Sequence, residues 1–203
     1  MLQLLDYRRT TAEMYQFIRE HGTDASESIK RFRETRDRLF GQHSQTPLSG
    51  EQLARFDGLC YYDYDPAYRV MGELNSDVER VGYHVDLGDD GAFKMTQVAQ
   101  VTFTLPAGTG TLGVFWIEGY GGGIFVPFRD GTNGTGSYGG GRYLYDTIKG
   151  ADPGGTDTEM VLDFNYAYHP SCYYNERWVC PLAPPQNHLQ FPVPAGETLL
   201  KTI

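Results

Sequence analysis

Hydrophobic residues recur with helical spacing in the first 45 residues, a segment that is almost free of glycine. Asp24 and Glu27 have the spacing of a capping box, and His21-Gly22 just before them is a helix stop signal. We therefore predict two helices in residues 1–45. The first places Leu5, Ala12, Tyr15 and Arg19 on one stripe widened by Met14, Phe17 and Ile18, and the second places Ile29, Phe32, Leu39 and Phe40 inward and its arginines in solvent.

From about residue 52 the pattern changes to a period of two, which is typical of strands. The stretch VGYHVDLGDDGAFKM predicts a hairpin with a tight turn at GDDG, and VAQVTFTLPAGTGTLGVFWIE predicts a second hairpin. A further strand is predicted over residues 160–168. Many short strands joined by Gly and Pro turns favour an antiparallel β-barrel or closed sandwich over residues 46–203. We expect the two helices to pack on it, so that both parts form one globular unit.

The sequence contains two matches to the dinucleotide-binding fingerprint G-x-G-x-x-G, at residues 108–113 and 134–139. That fingerprint works by placing a phosphate at the N-terminus of a helix. Neither match precedes a predicted helix, so we assign neither a phosphate-binding role. We expect no cofactor, because no redox cofactor motif is present.

The run YGGG occurs twice, at Tyr120 and at Tyr138, each time before a short aromatic-rich strand. Glycine beside a strand marks a sharp bend or lets a ligand approach the backbone. We expect both runs to line one cavity, with Arg142 directed into it and Asp163 or Asn165 opposite. A fixed guanidinium binds carboxylate or phosphate with two hydrogen bonds, so Arg142 and Arg129 favour an anion site.

Charge and composition narrow the classes of partner. The formal net charge is −9, which opposes non-specific binding to nucleic acid or to an anionic membrane surface. No run approaches the roughly 18 apolar residues of a membrane-spanning helix, and the first residues lack the apolar core of a signal peptide. The three cysteines suit a reducing compartment. We expect a cytoplasmic protein, and a homodimer is a further hypothesis.

A proline-rich stretch, residues 180–197, cannot form a helix. We expect it to lie across the sheet as an ordered strap. The strap contains the apolar residues Leu182, Leu189 and Phe191, and we expect these side chains to be buried between the strap and the sheet.

Several chemistries fit the residues around this strap. One is a metal site. Only the gap between its first two residues, His169 and Cys172, resembles the spacing of zinc ligands, so we expect no metal. Another is nucleophilic catalysis by Cys172, with His169 as base and Asp163 or Asn165 as its orienting partner. A Cys172–Cys180 disulfide and two packed free thiols are further interpretations. The metal hypothesis rests on His169, Cys172, Cys180 and His188.

Three carboxylates, Glu118, Asp163 and Glu197, are the ones we expect to face inward. Two carboxylates in one cavity divide the roles of acid and base when burial raises one pKa. Their separation does not follow from the sequence, so hydrolysis by paired carboxylates stays an open alternative.

Five motifs together resemble those of a bacterial and archaeal family, the domain-of-unknown-function family numbered 1684. They are FRETRDRLF with HSQTPL, RDGTNGTGSYGGGRYL, LDFNYAYHPSCYY, CPLAPPQN and PAGE, and the resemblance spans roughly residues 28–198. It implies no assigned reaction. His169 departs from the resemblance, which favours asparagine there, and this weakens any mechanism that needs an imidazole.

The resemblance does imply that certain polar residues belong together. In the helical part these are Arg33, Arg36 and Asp37, and Cys180 accompanies Cys172. The ligand-binding residues that we predict are Arg129, Asp130, Tyr138, Arg142, Asp163, Asn165, Cys172, Asn187 and Glu197.

Two functions from different classes follow. The first is binding of a small anionic metabolite, bearing a carboxylate or phosphate, in a glycine-lined β-barrel cavity with arginine and tyrosine walls. The alternative is an enzyme of the hydrolase or lyase type that uses the same cavity. Because the sequence shows no identifiable catalytic pair, we favour binding; an interaction module is a third hypothesis.

Overall fold

The computed structural model describes residues 1–22, 24–86 and 91–200. As predicted, the protein is mainly β, with an antiparallel sheet curled into a half-barrel and two long N-terminal helices packed on it. The strands are β1 (Arg69–Asn75), β2 (Gly82–Asp86), β3 (Ala92–Leu105), β4 (Gly108–Ile117), β5 (Gly123–Phe128), β6 (Arg142–Asp146) and β7 (Glu159–Asp163). The helices are α1 (Leu2–His21), α2 (Ala25–Gly41), α3 (Gly50–Arg55) and α4 (Ser171–Tyr174), with single 3₁₀ turns at Pro66–Tyr68, Thr147–Lys149, Phe164–Tyr166 and Pro185–Asn187.

The strands of the sheet lie in the order β6-β5-β4-β3-β1-β7, and β2 also pairs with β3. Both predicted hairpins are present as the antiparallel pairs β2–β3 and β3–β4. The turn that we placed at GDDG falls mainly on residues 87–90, which lie outside the described residues. The β3–β4 turn contains only Pro106 and Ala107 between the strand ends. An isolated antiparallel bridge between Tyr143 and Tyr168 links β6 to the chain that follows β7.

Alternation along β3 builds the main core. Val101, Phe103 and Leu105 are all buried, and they pack with Leu112 of β4 and Leu162 of β7. Burying an aliphatic or aromatic side chain of this size stabilises the fold by roughly 1.5–3 kcal/mol. The period of two in the sequence therefore predicted correctly which face of β3 is buried. In the described part of the chain, no helix has the length and apolar character that crossing a membrane would require.

The buried face of α1 differs in part from the predicted stripe. Met14, Tyr15 and Ile18 are buried as expected, together with Thr11. Leu5 is exposed, and so are Ala12 and Arg19 of the predicted stripe, so the buried face of the helix is only in part the one that we predicted. In α2 the cap at Asp24 is present, and its carboxylate accepts a hydrogen bond from the Glu27 amide at 3.3 Å. The predicted inward residues Phe32, Leu39 and Phe40 are buried.

The prediction that the arginines of α2 face solvent is wrong for Arg36, which is buried. Arg36 lies four residues after Phe32 and four before Phe40, so helical spacing puts it on the same face as both rings. Its guanidinium lies 5.6 Å from the centre of the Phe32 ring and 5.1 Å from that of Phe40.

Helix α3 lies in the segment where we predicted only β structure. Ser49 and Gln52 form a capping box, in which the Ser49 hydroxyl accepts from the Gln52 amide at 3.2 Å. The Gln52 side-chain oxygen in turn accepts from the Ser49 amide at 2.8 Å. The signal is visible in the sequence as Ser-x-x-Gln, and our prediction missed it.

The strand predicted over residues 160–168 is only half correct, because β7 ends at Asp163. The Asp163 carboxylate accepts from the Asn165 amide at 3.1 Å and so caps the 3₁₀ turn Phe164–Tyr166. All three residues of this turn are buried, and period-two alternation is therefore lost.

The strap, residues 180–197, crosses the sheet as predicted. Asn187 is fully buried, and its side chain bonds the Gly113 amide at 2.8 Å and the Pro127 carbonyl at 2.7 Å. The backbone of Arg129 bonds Asn187 and Leu189, each at 2.8 Å. Leu189 is buried, whereas Leu182 is exposed, contrary to our expectation.

Candidate functional site

Arg142 is fully buried, and its partners hold the strap on the β5–β6 connection. Its Nη2 donates to Asp130 Oδ2 at 2.8 Å and to the Val193 carbonyl at 2.8 Å. Its Nη1 donates to the carbonyls of Ala195 and, at 3.3 Å, Glu197. Neither predicted partner, Asp163 or Asn165, faces this guanidinium. A carboxylate from the same connection already neutralises Arg142, so its contacts are those of a structural ion pair.

Asp163 and Asn165 instead order the chain after β7. Asn165 donates to Asp163 Oδ1 at 2.9 Å, and its side chain also bonds both the amide and the carbonyl of Asp65. Arg69 lies 3.6 Å from the second Asp163 oxygen. Burial raises the pKa of Asp163 to about 6, because these hydrogen bonds only partly offset its desolvation.

The two glycine runs precede β5 and β6 as bends, but neither lines the cavity described below. Tyr120 is fully exposed. Gly141 has a φ of 96°, and a Cβ there would collide with the Phe128 carbonyl. Glu118 is exposed and accepts from the Thr96 hydroxyl at 2.5 Å, so the prediction that it faces inward is wrong.

Glu197 is a buried carboxylate with a full set of partners. Arg36 reaches its Oε1 through Nε at 2.7 Å and Nη2 at 2.6 Å. Its Oε2 accepts from the His169 amide at 2.7 Å and from the Tyr174 hydroxyl at 2.8 Å. This carboxylate therefore ties α2 and α4 to the end of the strap.

A cavity of about 150 Å³ opens beside this ion pair, between α1, α2 and the segments that follow β6 and β7. Each element contributes its own side of the wall. Its lining residues are Leu4, Tyr7, Arg8, Thr11, Tyr15, Arg36, Phe40, Gln45, Pro47, Tyr143, Lys149, Ala151, Tyr168, His169, Pro170, Ser171 and Trp178.

The lining is electrostatically one-sided, because it holds three cations and, among the described residues, no carboxylate. Two of the cations are neutralised from behind, since Arg36 pairs with Glu197 and Lys149 lies 3.0 Å from Asp146. Arg8 is exposed and makes no ion pair within the described part of the chain. The mouth of the cavity therefore carries a positive charge.

Tyrosine hydroxyls and one imidazole supply the remaining polar groups. The Tyr15 hydroxyl is buried and has no hydrogen-bond partner in the described ranges. Burial raises the pKa of Tyr7, Tyr15 and Tyr168, so these hydroxyls stay protonated and can donate. Burial lowers the pKa of His169 well below its ordinary range, and the Arg142 and Arg36 cations add to this effect. Its ring is therefore neutral at pH 7.

The Nε2 of His169 accepts a hydrogen bond from the Tyr138 amide at 3.1 Å. A neutral ring that accepts at Nε2 carries its proton on Nδ1, which lies 3.7 Å from Glu197. His169 thus holds the second glycine run against the end of the strap. It is not positioned as the base of Cys172.

None of the nine predicted ligand-binding residues lines this cavity. Asp130, Arg142, Asn187 and Glu197 hold the strap in place, whereas Asp163 and Asn165 order the chain after β7. Paired carboxylates for hydrolysis are also not found among its described lining residues. The residues that our prediction missed lie mainly on α1, where Arg8, Thr11 and Tyr15 recur at helical spacing.

All three cysteines are free thiols. In the described residues, no group of three or more His, Cys, Asp or Glu side chains is placed to hold a metal ion. His188 of the hypothetical metal set instead contacts the Ala183 carbonyl at 3.2 Å.

The fold and the cavity define a mainly β protein with a pocket bordered by the N-terminal helices, whose lining combines cations and tyrosine hydroxyls with apolar side chains. The family model described as "Protein of unknown function (DUF1684)" matches residues 54–198, and the chain belongs to this family, as its motifs indicated. The match begins after the helical motif that we had included. The solution NMR structure of an uncharacterised Haloarcula marismortui protein is 34% identical, with a TM-score of 0.64, covering 89% of this chain and 97% of that one. The comparison with curated proteins gave no match.

Proposed function

We propose that the protein binds a small organic anion in the cavity between α1, α2 and the segment after β7. One observation carries the proposal: the described lining contains no carboxylate, and of its three cations Arg8 has no ion pair within the described residues. A cavity with this lining attracts a negatively charged ligand and disfavours a cationic one.

The two ends of the cavity wall on α1 offer complementary contacts. Arg8 at the mouth is a cation without an ion pair in the described part of the chain, and the Tyr15 hydroxyl is a buried donor without a partner there. They lie seven residues apart, which is about 10 Å along a helix. A ligand with an anionic group and a second oxygen could satisfy both, and a buried hydroxyl without a partner has a free-energy cost that such a ligand would remove.

The size and walls of the cavity narrow the ligand class. A volume of about 150 Å³ is that of a cavity that holds one benzene molecule. Phe40, Tyr168 and Trp178 provide aromatic surface. These features favour a small carboxylate with a short apolar body over a dinucleotide or a sugar phosphate.

The test is calorimetric titration of the full chain with butyrate, benzoate and inorganic phosphate, and with the neutral amides butyramide and benzamide. We expect the carboxylates to bind at least about tenfold more tightly than their amides, since a hydrogen bond to a charged group contributes about 1.5–3 kcal/mol. Preference for phosphate would identify a phosphate-bearing ligand instead. Failure of all three anions to bind, or equal binding of acid and amide, would overturn the proposal.

Two neighbouring arginines provide a matched pair of variants. Arg8 and Arg9 are both exposed on α1, but only Arg8 lines the cavity. We expect Arg8→Gln to weaken butyrate binding several-fold and to reduce its dependence on salt, while Arg9→Gln leaves both unchanged. Tyr15→Phe should not lower the melting temperature, because the hydroxyl has no partner in the described residues, and it should weaken the binding only of a ligand whose second oxygen reaches that hydroxyl.

A further inference from the structure

Cys172 and Cys180 meet where α4 lies against the start of the strap. The backbone amide of Cys172 donates a hydrogen bond to the Cys180 sulfur at 3.4 Å. Both residues are free thiols and both are half-buried, so small reagents can reach them. Two cysteines that are eight residues apart in the sequence thus lie side by side and form one site with two sulfur atoms.

The surroundings of the two sulfurs differ. A hydrogen bond from the Cys172 thiol lowers the pKa of Cys180 to about 6 despite its burial, and backbone amides and Lys149 add to this effect. The pKa of Cys172 is raised, because its proton is held by that hydrogen bond and because it is buried. The Tyr138 hydroxyl lies 3.9 Å from the Cys172 sulfur. Cys180 is therefore the sulfur of the pair that is favoured as a thiolate, because it accepts the hydrogen bond from the Cys172 backbone amide.

We propose that Cys172 and Cys180 form a redox-active dithiol that reduces low-molecular-weight disulfides, with Cys180 as the attacking sulfur. This reverses the order in our sequence-based hypothesis, in which Cys172 was the nucleophile. The proposal does not depend on anion binding in the neighbouring cavity.

The reaction is a pair of thiol–disulfide exchanges. The Cys180 thiolate attacks one sulfur of the external disulfide, its S–S bond breaks, and one external thiolate leaves. Cys172 then gives its proton to solvent and attacks the Cys180 sulfur, which expels the second external thiolate. The pair loses two electrons and becomes a disulfide, and the external disulfide gains them and becomes two thiols.

Cys60 provides the internal comparison. It is half-buried and free, like the other two, but its sulfur has no hydrogen-bond partner in the described ranges. Reactivity that follows exposure alone would make Cys60 comparable with Cys180, whereas reactivity that follows thiolate character would single out Cys180.

The first experiment incubates the reduced full chain with oxidised glutathione and follows it by intact mass and peptide mapping. We expect a Cys172–Cys180 cross-link that dithiothreitol reverses, and the same product in Cys60→Ser. In Cys172→Ala the reaction should stop at a mixed disulfide on Cys180. No cross-link, or a mixed disulfide that forms on Cys60 as fast as on Cys180, would overturn the proposal.

The second experiment measures the rate of alkylation of each cysteine by iodoacetamide against pH. In the wild type we expect the alkylation rate of Cys180 to rise with pH, with a midpoint near pH 6. This measurement does not depend on whether any variant folds. In Cys172→Ala the midpoint should move toward the ordinary value of about 8.5. The charged or titratable groups around Cys180 are Cys172, Lys149, Tyr138 and Tyr143. A wild-type midpoint at the ordinary value would contradict the assignment of Cys180 as attacking sulfur.

Discussion

Breaking the buried ion pair between Arg36 and Glu197 tests how the N-terminal helices are held on the β structure. The side chains are 8% and 1% exposed, and two guanidinium nitrogens lie 2.7 and 2.6 Å from one carboxylate oxygen. Arg36→Met keeps most of the apolar contact with the neighbouring rings but removes the cation. It leaves Glu197 buried with only two neutral donors, the His169 amide and the Tyr174 hydroxyl.

Removing one partner of a buried ion pair lowers the free energy of unfolding by about 3–5 kcal/mol. For a chain of this length each kcal/mol shifts the melting temperature by about 2–4 °C, so we expect a decrease of roughly 6–20 °C. The measurements are denaturant unfolding for the free energy and thermal unfolding for the melting temperature, both followed by circular dichroism. Arg38→Met is the matched control, because Arg38 is exposed on the same helix and its removal should change stability by less than about 0.5 kcal/mol.

The double variant Arg36→Met/Glu197→Gln separates the lost attraction from the cost of an isolated buried charge. With both charges removed, the loss should be clearly smaller than the sum of the two single losses. Additive losses, or a loss below about 1 kcal/mol for Arg36→Met alone, would refute the view that this ion pair fixes α2 on the strap.

Two further predictions concern charges that we had assigned to ligand binding. Arg142→Met should lower the free energy of unfolding by about 3–5 kcal/mol without any ligand present, because it leaves the buried Asp130 carboxylate without its cation. Arg129→Met is the control, because Arg129 is half-exposed. Equal unfolding curves for the two variants would contradict the structural role of Arg142. Asp163 has a pKa raised to about 6 in the folded state, so its contribution to stability is full below about pH 4 and is lost as the pH rises through 6. We therefore expect the stability of Asp163→Asn relative to wild type to increase by up to about 3 kcal/mol between pH 4 and pH 7, and a difference independent of pH would disprove the shift.

Local signals in the sequence were sufficient for most of the fold. The capping signal at Asp24 predicted the start of α2, where the Asp24 side chain does cap the helix, and alternation along Val101, Phe103 and Leu105 predicted the buried face of β3. The prolines of residues 180–197 predicted the non-helical strap. Each of these signals acts over a few residues, through hydrogen bonds and side-chain direction that the neighbouring chain already determines.

Tertiary contacts decided where some of the predicted elements end and which of their side chains are buried. The strand predicted over residues 160–168 stops at Asp163, because Asn165 bonds Asp65, about a hundred residues earlier in the chain. Arg36 had a sequence signal in its spacing from Phe32 and Phe40, but its burial required a carboxylate that comes from Glu197, 161 residues later. Without that partner, the rule that arginines stay in solvent would have been correct.

The candidate site was decided entirely by the tertiary structure. Motifs of arginine, glycine and tyrosine pointed to the β5–β6 connection, but there Asp130 neutralises Arg142, and carbonyls of the strap accept hydrogen bonds from both of its Nη atoms. The cavity with a surplus of cations lies instead where α1 crosses the chain after β7. Sequence determined which side chains each element offers, and only the packing of distant elements decided which charges meet a partner and which are left to bind a ligand.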